Sequence, residues 1–263
     1  MLRVSWHSLF SLAGMGIGSW LSFRFGRILV KDERIYHFAI AVVIGGLVAA
    51  RLGHIADNTG FYAARPDQLV AFWNGGIAVT AAPIGSAIGG WIACRRLGLP
   101  LGFMFDITVI GIALGEAIGR LGDIVNGEHH GLACDGLPWC VRYTHPATLG
   151  QHELVHPIAA YDLLIVLGIF LVCVAVWRRI RGRPPEGRIF WIYLVLYGGA
   201  RFTTSFLRLD PIVLAGLQEG QVLGLLYVGV GVPALFRLWG GRVDAGRDNL
   251  LHYGSRERGE ERQ

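Results

Sequence analysis

The segment LGFMFDITVIGIALGEAIGRLGDIVNGEHHG, residues 101–131, joins a long apolar run to a short stretch dense in polar groups. Its apolar part, residues 101–118, has about the length that a helix needs to cross a bilayer. Asp106 and Glu116 interrupt this run, so part of it should face protein or water rather than lipid. Residues 119–131 hold a guanidinium, two carboxylates, an amide, two imidazoles and four glycines. Such groups are costly beside lipid, so the segment predicts a functional site.

The composition of the whole chain is typical of an integral membrane protein. Of its 263 residues, 53% are hydrophobic and only 16% are charged, and the mean hydropathy is +0.47. The net charge of +5 is carried almost entirely by arginine, since Lys31 is the only lysine. The arginines lie in short clusters between apolar runs, where lipid headgroups would meet them, so we expect a membrane partner and no nucleic acid.

The apolar runs predict an all-α membrane protein with seven transmembrane helices. They cover residues 4–23, 35–56, 69–94, 101–118, 157–177, 189–207 and 221–238. The first run is interpreted as a span rather than a cleavable signal peptide, because no small-residue cleavage site follows it. The predicted organisation is one seven-span domain, residues 1–239, followed by a polar cytoplasmic tail, residues 240–263.

The distribution of basic residues predicts the orientation. Arginine and lysine are concentrated after spans one, three, five and seven, which places these loops and the C-terminus in the cytoplasm and the N-terminus outside. A small loop region between spans four and five, residues 127–156, is then extracytoplasmic. Cys134 and Cys140 lie in it and could form a disulfide in an oxidising compartment.

Two arginines, Arg120 and Arg201, end apolar runs on the predicted outer side. An arginine in a membrane helix needs a partner, and its planar guanidinium suits a phosphate group. Two such groups could grip a phospholipid headgroup that arrives laterally. Alternatively, each arginine extends to the interface or pairs with a carboxylate such as Asp123 or Glu116.

Residues 119–128, GRLGDIVNGE, resemble the signature of prolipoprotein diacylglyceryl transferases, G-R-[IL]-G-N-F-[IV]-N-G-E. Other elements similar to the family's motifs follow the family's order: ARLGH (50–54), the glycine pair 75–76, LPW (137–139), HPIAAYD (156–162) and YGGARFTTSFLR (197–208). The resemblance covers roughly residues 4–235. The family's seven spans and outside N-terminus agree with the topology predicted above.

The resemblance implies a multi-pass enzyme of the bacterial plasma membrane that needs no cofactor or metal. It would transfer a diacylglyceryl group from phosphatidylglycerol, or a related anionic phospholipid, to the lipobox cysteine thiol of a prolipoprotein. Arg120 and Arg201 would hold the phosphate, and Asn126 and Glu128 would orient them and the headgroup. The candidate catalytic residues are Arg120, Glu128, His129 and Arg201, and the candidate substrate-binding residues are His7, Thr80, Gly119, Asn126, Gly127, Gly131 and Tyr161.

Four of the departures from the family's pattern bear on the chemistry of the site. Thr80 replaces a histidine often considered the base, and a neutral hydroxyl cannot do that work. Ser205 replaces a glutamate, His7 replaces a tyrosine, and Asp123 replaces an asparagine. Because Asp123 lies three residues after Arg120, it could neutralise that arginine through a helical contact.

Three histidines are candidate replacement bases: His129 and His130, which follow the signature, and His7 in the first span. The alternative is that they are interfacial polar residues without a catalytic role. Thr80 and Ser205 also favour a second hypothesis, a catalytically silent paralogue that binds lipid or precursor protein.

A zinc-dependent membrane protease is a further alternative. His152, Glu153 and His156 match the H-E-x-x-H pattern, which on a helix directs two imidazoles to one face. Pro157 argues against it, because a proline disfavours helical geometry in the residue before it.

Overall fold

The computed structural model of the chain describes residues 6–71, 75–76, 78–145, 147–180, 183 and 186–240. The predicted tail therefore lies outside the described residues beyond Gly240. The described α-helices are α1 (Trp6–Gly26), α2 (Arg34–Asp57), α3 (Thr59–Ala64), α4 (Ala82–Leu97), α5 (Leu101–Asn126), α6 (Ile158–Ile180), α7 (Arg188–Ser205) and α8 (Glu219–Gly240). Short 3-10 helices cover Pro66–Val70 and Val79–Ala81, and the strands β1 (Ile212–Leu214) and β2 (Leu217–Gln218) form an antiparallel pair.

Helices with the length and composition of membrane spans confirm the predicted class. Within the described ranges, four helices meet both criteria: α2, α5, α6 and the part of α8 from Glu219 to Leu238. The chain is thus an all-helical, multi-pass membrane protein apart from its one small sheet. α4 has only 16 residues, fewer than the roughly 20 that a straight span needs.

The chain forms two compact units, which we describe separately. The first comprises Met1–Phe25 and Phe105–Gln263, and the second comprises Gly26–Met104. In the second unit α2 packs against α4. A Cβ added to Gly85 would collide with the carbonyl oxygen of Gly45, so the two backbones approach as closely as the glycine-rich sequence of α4 predicts.

The prediction that the third span begins at residue 69 is wrong. The described residues between Pro66 and Ala81 form only 3-10 turns and irregular backbone, and α4 begins at Ala82. Gly75 and Gly76 both have φ of +81°, a left-handed conformation that stops a helix and that glycine adopts without strain. Pro83 in the first turn of α4 favours a new helix start there.

The buried guanidinium of Arg51 holds this irregular segment in place. Arg51 is only 4% exposed, and it donates hydrogen bonds to the carbonyl oxygens of Gly75 at 2.6 Å, Gly76 at 2.7 Å and Leu69 at 3.1 Å. It also donates to the carbonyl of Gln68. One side chain therefore supplies hydrogen-bond donors to several backbone carbonyls of this irregular segment.

We expect Arg51→Ala to lower the melting temperature in detergent and to increase proteolysis between residues 65 and 81. Hydrogen bonds to a charged donor contribute about 1.5–3 kcal/mol each, and their loss leaves several carbonyls without a donor. The matched control is Arg65→Ala. The exposed Arg65 lies over the ring of Phe61 at 5.2 Å, a contact different in kind from the backbone hydrogen bonds that Arg51 donates. Equal melting temperatures and cleavage rates for the two variants would contradict this role for Arg51.

In the first unit, α1 packs on α5 and α7 packs on α6 and α8. A Cβ on Gly18 of α1 would collide with the carbonyl oxygen of Gly111 of α5, so this contact also requires glycine. Asp106 of α5 is 3% exposed and caps the start of α7, since it accepts hydrogen bonds from the backbone N–H groups of Gly187 at 2.9 Å and Phe190 at 2.8 Å. The expectation that this carboxylate faces protein is confirmed.

The helix α5 continues beyond the predicted end of its span. It runs to Asn126 and ends where Gly127 adopts a φ of +73°. Arg120, Asp123 and Asn126 therefore lie on its last turns. The connection to α6 contains isolated β-bridges, Ala133 with Val155 and Val141 with Val155, and a disulfide between Cys134 and Cys140.

Candidate active site

The last three turns of α5 place three charged groups on one face. Glu116, Arg120 and Asp123 are separated by four and three residues, the spacing that aligns side chains along a helix. The side chains of α1, α6 and α7 that meet this face all belong to the same compact unit. A site thus forms where four helices of the first unit approach one another.

Arg120 is surrounded by carboxylates. Its Nη2 atom lies 2.9 Å from Glu116 Oε1, and its Nη1 atom lies 3.0 Å from Asp123 Oδ2 and 3.5 Å from Asp162 Oδ2. Its side chain is 12% exposed. The predicted helical contact with Asp123 is confirmed, and so is the alternative that Glu116 pairs with this arginine. Tyr197 of α7 donates to the same Glu116 oxygen at 3.1 Å.

Asp162 links Arg120 to a second buried arginine. Arg208 follows α7 and donates a hydrogen bond to Asp162, and their side chains are 2% and 5% exposed. Burial lowers the pKa of Arg208, and the neighbouring Asp162 opposes that shift. Neither Asp162 nor Arg208 was among the predicted site residues, although a charge inside or beside an apolar run indicates that a partner must exist.

Arg201 differs from Arg120 in having no carboxylate partner among the described residues. Both arginines line one cavity, together with Glu116, Asp162 and Tyr197. No ion pair involves Arg201 in the described part of the chain. Gly220 of α8 backs its guanidinium, since a Cβ there would lie 3.2 Å from Arg201 Nη2. Arg201 therefore offers a positive charge to which an anion in the cavity could bind.

His7 of α1 contacts the carboxylate of Asp123. The Nδ1 atom of His7 lies 2.5 Å from Asp123 Oδ1 and 3.5 Å from Glu128 Oε2. Among the residues with described positions, these three form a group whose possible metal-ligating atoms lie within 4.8 Å of one another. Asp123 already contacts Arg120 and His7, so hydrogen bonding accounts for the group without an ion.

Both histidines that follow the signature, His129 and His130, form polar contacts. His129 has a φ of +66°, which is unusual for a residue other than glycine. Its Nε2 atom lies 2.7 Å from Arg120 Nη1 and 3.2 Å from Asp123 Oδ2. Because arginine can only donate, that nitrogen accepts. His130 is bound to the carbonyl oxygen of Leu149 through Nε2 at 2.9 Å.

The amide and the glycines of the signature shape the start of the connecting loop. Asn126 donates to Glu128 Oε1 at 3.0 Å. Cβ atoms on Gly127 and Gly131 would collide with Gly150 and with the carbonyl oxygen of His156, respectively. Gly119 faces α1, where a Cβ would lie 3.5 Å from Ser11 Oγ. Gly127 and Gly131 therefore allow the close approach of neighbouring backbone, whereas a Cβ at Gly119 would make only an ordinary contact.

A cavity of about 60 Å³ opens beside Glu128 and His129. Tyr143 lines it and donates to the carbonyl oxygen of Ile124 at 2.9 Å. Burial raises the pKa of Tyr143, so its hydroxyl remains a neutral donor throughout the physiological pH range.

Three other predicted residues have contacts of their own. Tyr161 accepts a hydrogen bond from Trp139 Nε1 at 2.8 Å and lies 3.1 Å from His156 Nδ1. Ser205 is fully buried and donates to the carbonyl of Arg201 at 2.7 Å. Thr80 belongs to the second unit, where its exposed side chain lies in the 3-10 helix Val79–Ala81.

The zinc-protease alternative is wrong for a geometric reason. His152 and His156 precede α6, which begins at Ile158, so they do not share a helical face. His152 Nδ1 lies 2.8 Å from the carbonyl oxygen of Tyr143, whereas His156 contacts Tyr161. The H-E-x-x-H geometry requires a helix that the structure does not have at these residues.

The fold and the site define the class: a helical membrane protein with an arginine–carboxylate cluster at the end of one helix. A family model described as prolipoprotein diacylglyceryl transferase matches residues 1–237. The chain belongs to the prolipoprotein diacylglyceryl transferase family.

Several curated relatives carry the name phosphatidylglycerol–prolipoprotein diacylglyceryl transferase. The chain is 32% identical to one from Dehalococcoides mccartyi over 245 residues, which is 90% of each chain. It is 33% identical to one from Thermosynechococcus vestitus over 242 residues, again 90% of each. A relative from Clostridioides difficile is 30% identical over 234 residues, covering 89% of this chain and 90% of the relative.

Proposed function

We propose that this protein transfers the diacylglyceryl group of phosphatidylglycerol to the lipobox cysteine thiol of a prolipoprotein. The observation that carries the proposal is the cavity shared by Arg120 and Arg201, in which, among the residues that the structure describes, Arg120 is paired with carboxylates and Arg201 is not. Arg201 can therefore bind a phosphate without losing an existing ion pair. Membership of the transferase family and the names of the relatives support the same substrates.

The proposed setting is a bacterial plasma membrane crossed seven times, with the N-terminus outside and the C-terminus in the cytoplasm. Besides the four helices that meet both span criteria, α1, α4 and α7 would complete the seven-span domain of residues 1–239. The clustering of arginines after alternate runs supports this orientation and a cytoplasmic tail from residue 240. The loop with the disulfide would then face the oxidising side.

In the proposed mechanism, the two arginines stabilise the phosphate as its charge grows. The acceptor sulfur attacks the glyceryl carbon that bears the phosphate ester, and the bond from that carbon to oxygen breaks. Fixed positive groups in a site that excludes water lower the energy of such a transition state. Arg201 would contact the phosphate directly, while the carboxylates around Arg120 fix the direction of its guanidinium.

The remaining signature residues would orient the headgroup and both arginines. Asn126 holds Glu128 at 3.0 Å, and His129 accepts from Arg120 at 2.7 Å. Both contacts depend on the sharp turn at Gly127. We propose Glu128 and His129 as catalytic residues on this basis. His7, Asn126, Tyr161, Thr80 and the glycines 119, 127 and 131 are proposed as substrate-binding residues.

Purified protein in phosphatidylglycerol vesicles, mixed with a synthetic lipobox peptide, tests the proposal. We expect mass spectrometry to show a diacylglyceryl addition on the peptide cysteine, and no addition when serine replaces that cysteine. Vesicles of phosphatidylethanolamine serve as the lipid control, because they lack the glycerol phosphate headgroup. If folded protein binds phosphatidylglycerol but modifies no peptide, the chain is instead the catalytically silent paralogue that Thr80 and Ser205 suggest.

A further inference from the structure

Two of the positions that depart from the family's pattern, His7 and Asp123, contact each other. His7 and Asp123 lie 116 residues apart in the sequence, yet their Nδ1 and Oδ1 atoms are 2.5 Å apart. The other oxygen of Asp123 binds Arg120 at 3.0 Å. The carboxylate that is new at this position therefore joins an imidazole to the arginine of the proposed phosphate site.

The contact determines which nitrogen of His7 carries the proton. An ionised carboxylate can only accept hydrogen bonds, so Nδ1 donates to Asp123 and Nε2 keeps its lone pair. The nearest polar contact of Nε2 is the Oγ atom of Ser11 at 3.5 Å, which is at the limit for a hydrogen bond. The His7 side chain is 43% exposed. The Nε2 atom of His7 therefore makes only a weak hydrogen bond, and it is accessible.

The other two histidine candidates lack this arrangement. His129 Nε2 accepts from Arg120 at 2.7 Å, so the lone pair of that nitrogen is already engaged. His130 is bound to a backbone carbonyl and has no carboxylate contact of its own in the described structure. Of these three histidines, His7 alone combines a carboxylate that orients the ring with a nitrogen left available.

We propose that His7, oriented by Asp123, is the general base that removes the proton from the acceptor thiol. The inference rests on the proposed transfer reaction and identifies the group that replaces the histidine absent at Thr80. Nε2 takes the S–H proton while sulfur forms its bond to the glyceryl carbon. The bond from that carbon to oxygen breaks, its electron pair stays on the departing phosphate, and His7 then returns the proton to that phosphate.

The charges that face His7 suit this role. Asp123 reaches it from α5, and Glu128 reaches it from the following loop at 3.5 Å. Both carboxylates stabilise the imidazolium that forms when the thiol loses its proton. Arg120 lies beyond Asp123, so the carboxylate separates the two positive charges.

The variant His7→Gln tests the proposal through its pH dependence. At pH 7 we expect its turnover to fall about 100-fold, the lower end of what general bases contribute, with little change in the KM for phosphatidylglycerol. The difference in turnover between this variant and the parent protein should shrink as pH rises above roughly 8.5, because the thiol then ionises without a base. The control is His37→Gln, since the exposed His37 contacts the carbonyl oxygen of Glu33 just before its own helix, and its replacement should leave the profile unchanged.

Any of the following results would contradict the role of His7 as a general base. A His7→Gln variant with the parental pH profile, or one that stays equally impaired at pH 9.5, shows that His7 does not remove the thiol proton, while the transfer reaction itself stands. Activity lost on chelation and restored by zinc would indicate a metal held by His7, Asp123 and Glu128 instead. If the parent protein shows no transfer activity, both the proposed function and this inference fail. Melting temperature and phosphatidylglycerol retention establish that the variant is folded.

Discussion

Replacing Arg201 with alanine should reduce diacylglyceryl transfer by a factor of about 10²–10³, the range found when a donor to a developing anion is removed. The fold should be little affected, because Arg201 has no ion pair with the described residues and its removal strands no carboxylate. Retention of phosphatidylglycerol by the purified protein should fall as well, since a charge-assisted hydrogen bond contributes about 1.5–3 kcal/mol. Peptide modification and bound phospholipid are both measured by mass spectrometry.

The matched control is Arg179→Ala, which removes an exposed arginine from the last turn of α6. Arg201→Lys should recover only part of the activity, because an ammonium cannot make the paired hydrogen bonds of a guanidinium. If Arg201→Ala retains parental activity and lipid binding, Arg201 is a structural residue. Arg120→Ala should also weaken lipid binding, but it leaves Glu116, Asp123 and Asp162 without their common cation.

The second large effect is expected from Arg208→Ala. Removing one partner of a buried ion pair destabilises a protein by about 3–5 kcal/mol, because the remaining charge is left uncompensated. Arg208 and Asp162 are both almost fully buried. The melting temperature in detergent should fall sharply, and transfer activity should fall with it because Asp162 also contacts Arg120 at 3.5 Å.

An exposed pair offers the control for this prediction. Asp32 and Arg34 also form an ion pair, at 2.5 Å, but their side chains are 44% and 35% exposed. Asp32→Ala should change stability by no more than about 1 kcal/mol. The double variant Arg208→Met with Asp162→Leu should be more stable than Arg208→Ala, because it leaves no unpaired charge at this position. An Arg208→Ala protein as stable as Asp32→Ala would show that water reaches the pair.

Much of the helical framework follows from local sequence. The apolar runs locate α1, α2, α6, α7 and α8 to within a few residues, because an uncharged run of about 20 residues predicts a span directly. The same use of hydropathy placed the start of the third span too early. The run is largely apolar, but hydropathy does not show that Gly75 and Gly76 adopt left-handed backbone. Its irregular structure depends on Arg51, which comes from another helix.

The sequence by itself determined the class of protein and the family, and it located the signature around Arg120, since hydropathy and short motifs depend on neighbouring residues. It also predicted the contact between Arg120 and Asp123, which one helical turn imposes. Only the tertiary structure decided which cations are paired. Asp162 reaches Arg120 from α6, whereas Arg201 has no carboxylate partner in the described part of the chain.

The tertiary structure also decided the meaning of two departures from the family's pattern. Taken singly, His7 is an unexpected imidazole and Asp123 is a charge that weakens a phosphate site. Packing of α1 on α5 through glycine brings the two together at 2.5 Å. The physical reason is that helix packing joins residues 116 positions apart, a separation over which no sequence periodicity carries information.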